Sequence, residues 1–128
     1  MTRFLLVSSA ILGALAVLSG AFGAHALDGA FSERAQGWYD TAVTYHARHA
    51  LALLGCGLLA ATGHREPALW ISGACLLAGT LVFSGSLYSM AFTGATWLGA
   101  VTPIGGLLLI IGWLTLAVSA WRFGKDTK

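Results

Sequence analysis

Four long apolar runs, at residues 4–27, 42–63, 68–92 and 103–121, set what this chain can become. Each is about 19–25 residues long, and a helix rising 1.5 Å per residue needs about 20 to cross ~30 Å of hydrocarbon. The runs are continuous rather than alternating, which excludes spanning β-strands. The rest of the composition agrees. Only 9% of the 128 residues are charged, against about 25% in a soluble domain, and 57% are hydrophobic, which excludes disorder. The expected architecture is all-α: one integral membrane domain, residues 1–128, folded as a four-helix transmembrane bundle. Short links between helices favour up-down order.

Turn chemistry marks the boundaries. Asp28-Gly29 follows the first run, Gly63 the second and Thr93-Gly94 the third, and glycine is favoured just past a helix end. Asp40 is placed to cap the second helix and Thr102 the fourth, with Pro67 and Pro103 at first helical positions. Arg3, the first run and Ala24-His25-Ala26 also resemble a signal peptide. A signal h-region is about 7–15 residues, so the longer run is expected to stay as a helix.

Charge sets the orientation. Arg3, Arg65, Arg122, Lys125 and Lys128 fall on one side, and Arg34 and Arg48 on the other, so both termini are expected in the cytoplasm. The first outer loop, residues 28–41, carries Phe31, Ala35, Trp38 and Tyr39 at helical spacing, which predicts a short interfacial amphipathic segment. Trp38, Tyr39 and Trp97 would form an outer aromatic belt, and Trp70 and Trp121 an inner one. Arg48 is expected to snorkel to the interface or to pair with Asp40 or Glu33. The net charge of +2, with no basic stripe, argues against nucleic acid.

Lipid tails are as apolar as Leu, so helices associate through small residues that let backbones approach. Gly13 and Gly20 mark such a face on the first helix, and Gly105, Gly112 and Ser119 on the fourth. These faces serve the bundle, a homo-oligomer or a membrane partner, and on the association reading Gly112→Leu disrupts assembly. Cys56 and Cys75 read as small buried hydrophobes. Their equal distance from the tip of the second hairpin also allows a redox pair.

Ionisable groups within spanning helices are costly and point to function. His25 closes the first run, Tyr45, His46, Arg48 and His49 open the second, and Ser84, Ser86 and Tyr88 lie late in the third. All fall in the outer half of the membrane and form a polar layer. His46 and His49, three apart, share a helix face, and Tyr45 joins it. Two or three imidazoles at one depth suit a metal or haem, a proton relay or a quinone head group. The alternative is that they hydrogen-bond loop carbonyls near the helix ends, with no metal and no cofactor. Ser19-Gly20 and Ser84-Gly85 also stand at equivalent depths of two tandem hairpins.

Several stretches resemble a known family. They are Gly20-Ala-Phe-Gly-Ala-His25-Ala-Leu27, Thr41-Ala-Val, Tyr45-His46, His49-Ala-Leu-Ala-Leu-Leu54, Phe83-Ser-Gly-Ser-Leu-Tyr88, Thr93-Gly94, Thr102-Pro-Ile-Gly-Gly106 and Gly112-Trp113. In this order they look like domain-of-unknown-function family 423, which is similar to the eukaryotic transmembrane protein 256 family. The resemblance implies a four-helix membrane protein with no established activity. It falls on His25, His49, Ser84, Gly85, Ser86, Tyr88, Pro103, Gly105 and Gly106, and the Ala/Gly/Leu-rich composition suggests a bacterial plasma-membrane version.

No nucleophile–base pair or phosphate loop is present, so an enzyme is not expected. The leading expectation is a structural or accessory membrane protein. The alternatives are a binding module for a metal, haem or quinone in the outer layer, and a small oligomeric transporter or channel. Against transport, no helix is broken by an internal proline and no charge sits at the midplane.

Overall fold

A computed structural model describes residues 1–27 and 29–123; Asp28, Lys125 and Lys128 lie outside the described residues. Four α-helices follow one another: α1 Thr2–Ala26, α2 Glu33–Ala61, α3 Pro67–Thr93 and α4 Thr102–Phe123, with one 3-10 turn at Thr96–Ala100 before α4. Three segments, Thr2–His25, Pro67–Thr93 and Thr96–Phe123, are long and apolar enough to cross a membrane. Helix α2 is more polar, because Tyr45, His46, Arg48 and His49 interrupt its apolar run.

The first outer loop departs from expectation. No separate interfacial segment precedes α2. Residues 33–41 are its first turns, so the helix runs on for 29 residues, about 43 Å. The cap is Ser32, whose hydroxyl accepts from the Ala35 N–H at 3.2 Å, and Glu33 complements the dipole in the first turn. Asp40 sits mid-helix and accepts from Gln36 Nε2 at 2.8 Å. Asp40 therefore ends no loop, because Ser32 offers an equivalent cap two turns earlier. Thr102 is not a cap either. Its hydroxyl donates back to the Leu98 carbonyl at 3.2 Å, tying the 3-10 turn to α4. Pro67 does open α3, and Gly94 closes it at φ 69°, its N–H returned to the Met90 carbonyl.

Consecutive helices pack against each other in antiparallel pairs. Gly20 meets Val43 and Gly57 meets Leu6 between α1 and α2, while Gly105 meets Phe83 and Gly112 meets Leu76 between α3 and α4. The central core joins Leu5 and Leu12 of α1, Leu53 and Cys56 of α2, Leu69 and Leu76 of α3, and Leu109 of α4. Arg122 reaches Glu66 at 3.3 Å, which places the end of α4 beside the α2–α3 turn. His64 in that turn pairs with Ser119 at 2.9 Å and stacks edge-on to Phe123.

Candidate functional site

The polar layer resolves into separate groups. His25 is exposed in the last turn of α1. Its level on α2 is that of Tyr39, which packs against Gly23, two helical turns from His46. The layer therefore does not bring His25 beside the other imidazoles, and among the described residues no three His, Cys, Asp or Glu side chains form a metal-holding group. Ser84 and Ser86 also part company, because two residues turn a helix by about 200°. Ser86 donates to the Phe83 carbonyl and meets the Thr102 hydroxyl at 2.8 Å toward α4. Ser84 faces the opposite way.

His49 is locally satisfied. Its Nδ1 lies 2.7 Å from the Tyr45 carbonyl, which can only accept, so Nδ1 carries the proton. Its ring stacks on Tyr45 and meets Trp113 edge-on. Tyr45, partly exposed, leans on Phe83 with ring centroids 4.5 Å apart.

His46 is different. It is buried at 6% exposure, and its Nδ1 lies 3.3 Å from the Tyr88 hydroxyl. A phenol is the stronger proton donor and an imidazole nitrogen the stronger acceptor, so Tyr88 donates and the ring proton sits on Nε2. Nε2 has no hydrogen-bond partner, and neither does the Ser84 hydroxyl, in a residue 2% exposed. The Leu12 backbone lies toward the imidazole. Each orphan costs about 1–3 kcal/mol. Both residues line one cavity of about 270 Å³ between α1 and α3, with Ser19, Thr80, Gly85 and Tyr88. Tyr39, expected in the outer belt, is instead 3% exposed. Its hydroxyl donates to the Ser19 carbonyl at 2.7 Å, and its ring packs on Phe31, Tyr88 and Phe92. The glycine at position 23 leaves room for that ring. Trp97 and Trp121 remain widely exposed.

Sequence reading missed three polar residues, the buried Ser72 and Thr80 and the half-buried His64. Ser72 donates to the Gly112 carbonyl at 2.8 Å and contacts Cys56 Sγ at 3.5 Å, so Cys56 faces a serine rather than Cys75. Thr80 bonds back to the Leu76 carbonyl, and His64 holds Ser119. The one sequence signal for Ser72 and Thr80 is a hydroxyl within an apolar run, and His64 lies in the turn between two runs. The predicted packing positions divide in two. Gly105 and Gly112 are occupied within the chain, whereas a side chain on Gly13 would meet nothing within 4 Å. Gly112→Leu consequently strikes Leu76 of the same chain before it tests assembly.

A family model described as a protein of unknown function, DUF423, matches residues 19–106. The chain is 46% identical over 117 residues to a UPF0382 membrane protein of Staphylococcus epidermidis, covering 88% of this chain and 94% of that protein. It is 40% identical over 126 residues to the UPF0382 inner membrane protein YgdD of Escherichia coli, covering 97% and 94%. No solved structure matches.

Proposed function

This chain belongs to the DUF423 family of proteins of unknown function, and we infer that it is an accessory protein of the bacterial plasma membrane rather than an enzyme. All four helices span, α2 included, and both termini face the cytoplasm. Arg3, Arg65 and Arg122 gather at one end of the helices, and Arg34 lies at the other, the asymmetry that sets orientation. The relative in Escherichia coli is named an inner membrane protein, which supports the compartment. The interior toward the cytoplasmic end is filled by Leu53, Cys56, Leu69 and Leu76, which gives no support to a transport path.

The observation that carries the reading is the groove between α1 and α2. It has a volume of about 490 Å³ and is lined by Ala10, Gly13, Ala14, Val17, Ala47 and Leu51. Gly13 has no neighbour there. Ala10 and Ala14 form a small-xxx-small pair, the pattern that lets a second helix approach closely. Such a face meets its own copy across a two-fold axis, so the occupant is α1 of a second copy. Native mass spectrometry of the protein released from lipid nanodiscs tests this. The expected result is a dimer that Gly13→Leu converts to monomer, since a Cβ there would meet nothing within 4 Å of its own chain, with an unchanged thermal unfolding midpoint showing that the variant stays folded. A wild-type monomer, a complex with a different protein, or a dimer indifferent to Gly13→Leu overturns it.

A further inference from the structure

We propose that the cleft between α1 and α3 binds a lipophilic carbonyl compound, with His46 and Ser84 as its hydrogen-bond donors. Two features point there together. First, the cavity floor holds two buried polar atoms without partners, His46 Nε2 and Ser84 Oγ. Polar atoms buried in hydrocarbon are satisfied by neighbours, yet these two have no hydrogen-bond partner within the protein: Tyr88 meets the other imidazole nitrogen, Nδ1, and Thr80 bonds the Leu76 carbonyl. Second, the rim is apolar and open sideways. Leu15 of α1 and Leu81 of α3 are both half exposed, so entry is from the lipid and not from water.

The donor pattern selects the ligand. With the proton on Nε2, both orphans donate, and the complementary group is an oxygen that accepts twice, as a carbonyl does. A metal is disfavoured, since Nε2 then carries a proton and offers no lone pair, and among the described residues no three His, Cys, Asp or Glu side chains gather to hold one. The space suits a ring or chain as well as a head. A second cavity of about 540 Å³, lined by Leu18, Phe22, Tyr39 and Phe92, shares Ser19 and Tyr88 with the first and continues the cleft toward the outer surface. His46 lies two turns below Tyr39 on α2, about 10 Å deeper, within the apolar layer. Two classes of membrane molecule carry such a carbonyl, an isoprenoid quinone and the ester of a diacyl lipid.

The test uses the full-length protein in dodecyl maltoside with two probes, decylubiquinone and dioctanoylglycerol, each ¹³C-labelled at the carbonyl. The expected result is saturable one-to-one binding of one probe, with its infrared carbonyl stretch moved to lower wavenumber by hydrogen bonding. Which probe binds assigns the source. Ser84→Ala should weaken binding about tenfold, the loss of one hydrogen bond. Gly85→Leu should abolish it. A Cβ at Gly85 would meet nothing within 4 Å, so a leucine there extends into the cavity, and thermal unfolding of the same sample verifies that the fold is kept. No saturable binding of either probe, an unshifted carbonyl band, or full binding by Gly85→Leu overturns the proposal. Dimerisation through Gly13 is read separately, so the two readings fail independently.

Discussion

Helix α3 presents two unlike faces. Toward α4 it is packed to backbone contact: a side chain on Gly79 would strike Leu109, one on Gly105 would strike the Phe83 backbone, and Gly112 lies under Leu76. Its polar atoms there are satisfied, with Ser72 on the Gly112 carbonyl and Ser86 on Phe83 and Thr102. Toward the outer half of α1 the same helix leaves a cavity, an unopposed Gly85 and an unpartnered Ser84. Small residues alone thus do not bring helices together. Glycines on α4 accept the Phe83 and Leu76 ridges of α3, whereas Leu12 and Leu15 of α1 stand off Ser84 and Gly85 as bulky walls. Close packing needs the large side chain to enter the space over the small one, and a Cβ at Gly85 would meet nothing within 4 Å.

Substitution at paired positions on these faces should separate them. Gly105→Leu forces a side chain into the Phe83 backbone and should cost about 3 kcal/mol or more, seen as a collapse of the thermal unfolding midpoint in detergent. If Gly105→Leu unfolds at the wild-type temperature, the close face is not close. Ser72→Ala on the same side removes one intramembrane hydrogen bond and should lower stability by about 0.6–1 kcal/mol. Gly85→Ala on the open face should act in the opposite direction, raising stability by about 0.5–1 kcal/mol through helix propensity with no clash. A loss there would mean that α1 and α3 approach more closely than the cavity implies. The smallest effect belongs to Arg122→Gln, whose partner Glu66 is reached across a partly exposed end of the bundle. It should change stability by less than about 0.5 kcal/mol and become indistinguishable from wild type in high salt.

Much of the fold was legible. The four runs became four helices, Pro67 opened α3, and Gly94 closed it in a left-handed conformation. Each of these rests on local chemistry that a neighbouring helix does not alter. The start of α2 was not legible, because Ser32 and Asp40 are both competent caps and the turns between them have helical spacing in either case. The site was partly legible. His46, Ser84 and Tyr88 were found as polar residues in apolar runs, and the cavity does gather them. His25, His49 and Ser86 carried the same signal and went elsewhere, to an exposed helix end, a local carbonyl and the α4 interface.

The sequence by itself determined that the chain is helical and membrane-sized and where most helices begin and end, since length, apolarity, proline and glycine act locally. Only the tertiary structure decided which glycines are filled, that Tyr39 lies inside, and which two polar atoms are left without partners. The physical reason is that lipid and protein interior are equally apolar. A spanning helix therefore shows no hydrophobic stripe to mark its buried face, and the direction in which a histidine or serine points is set by the helices packed against it.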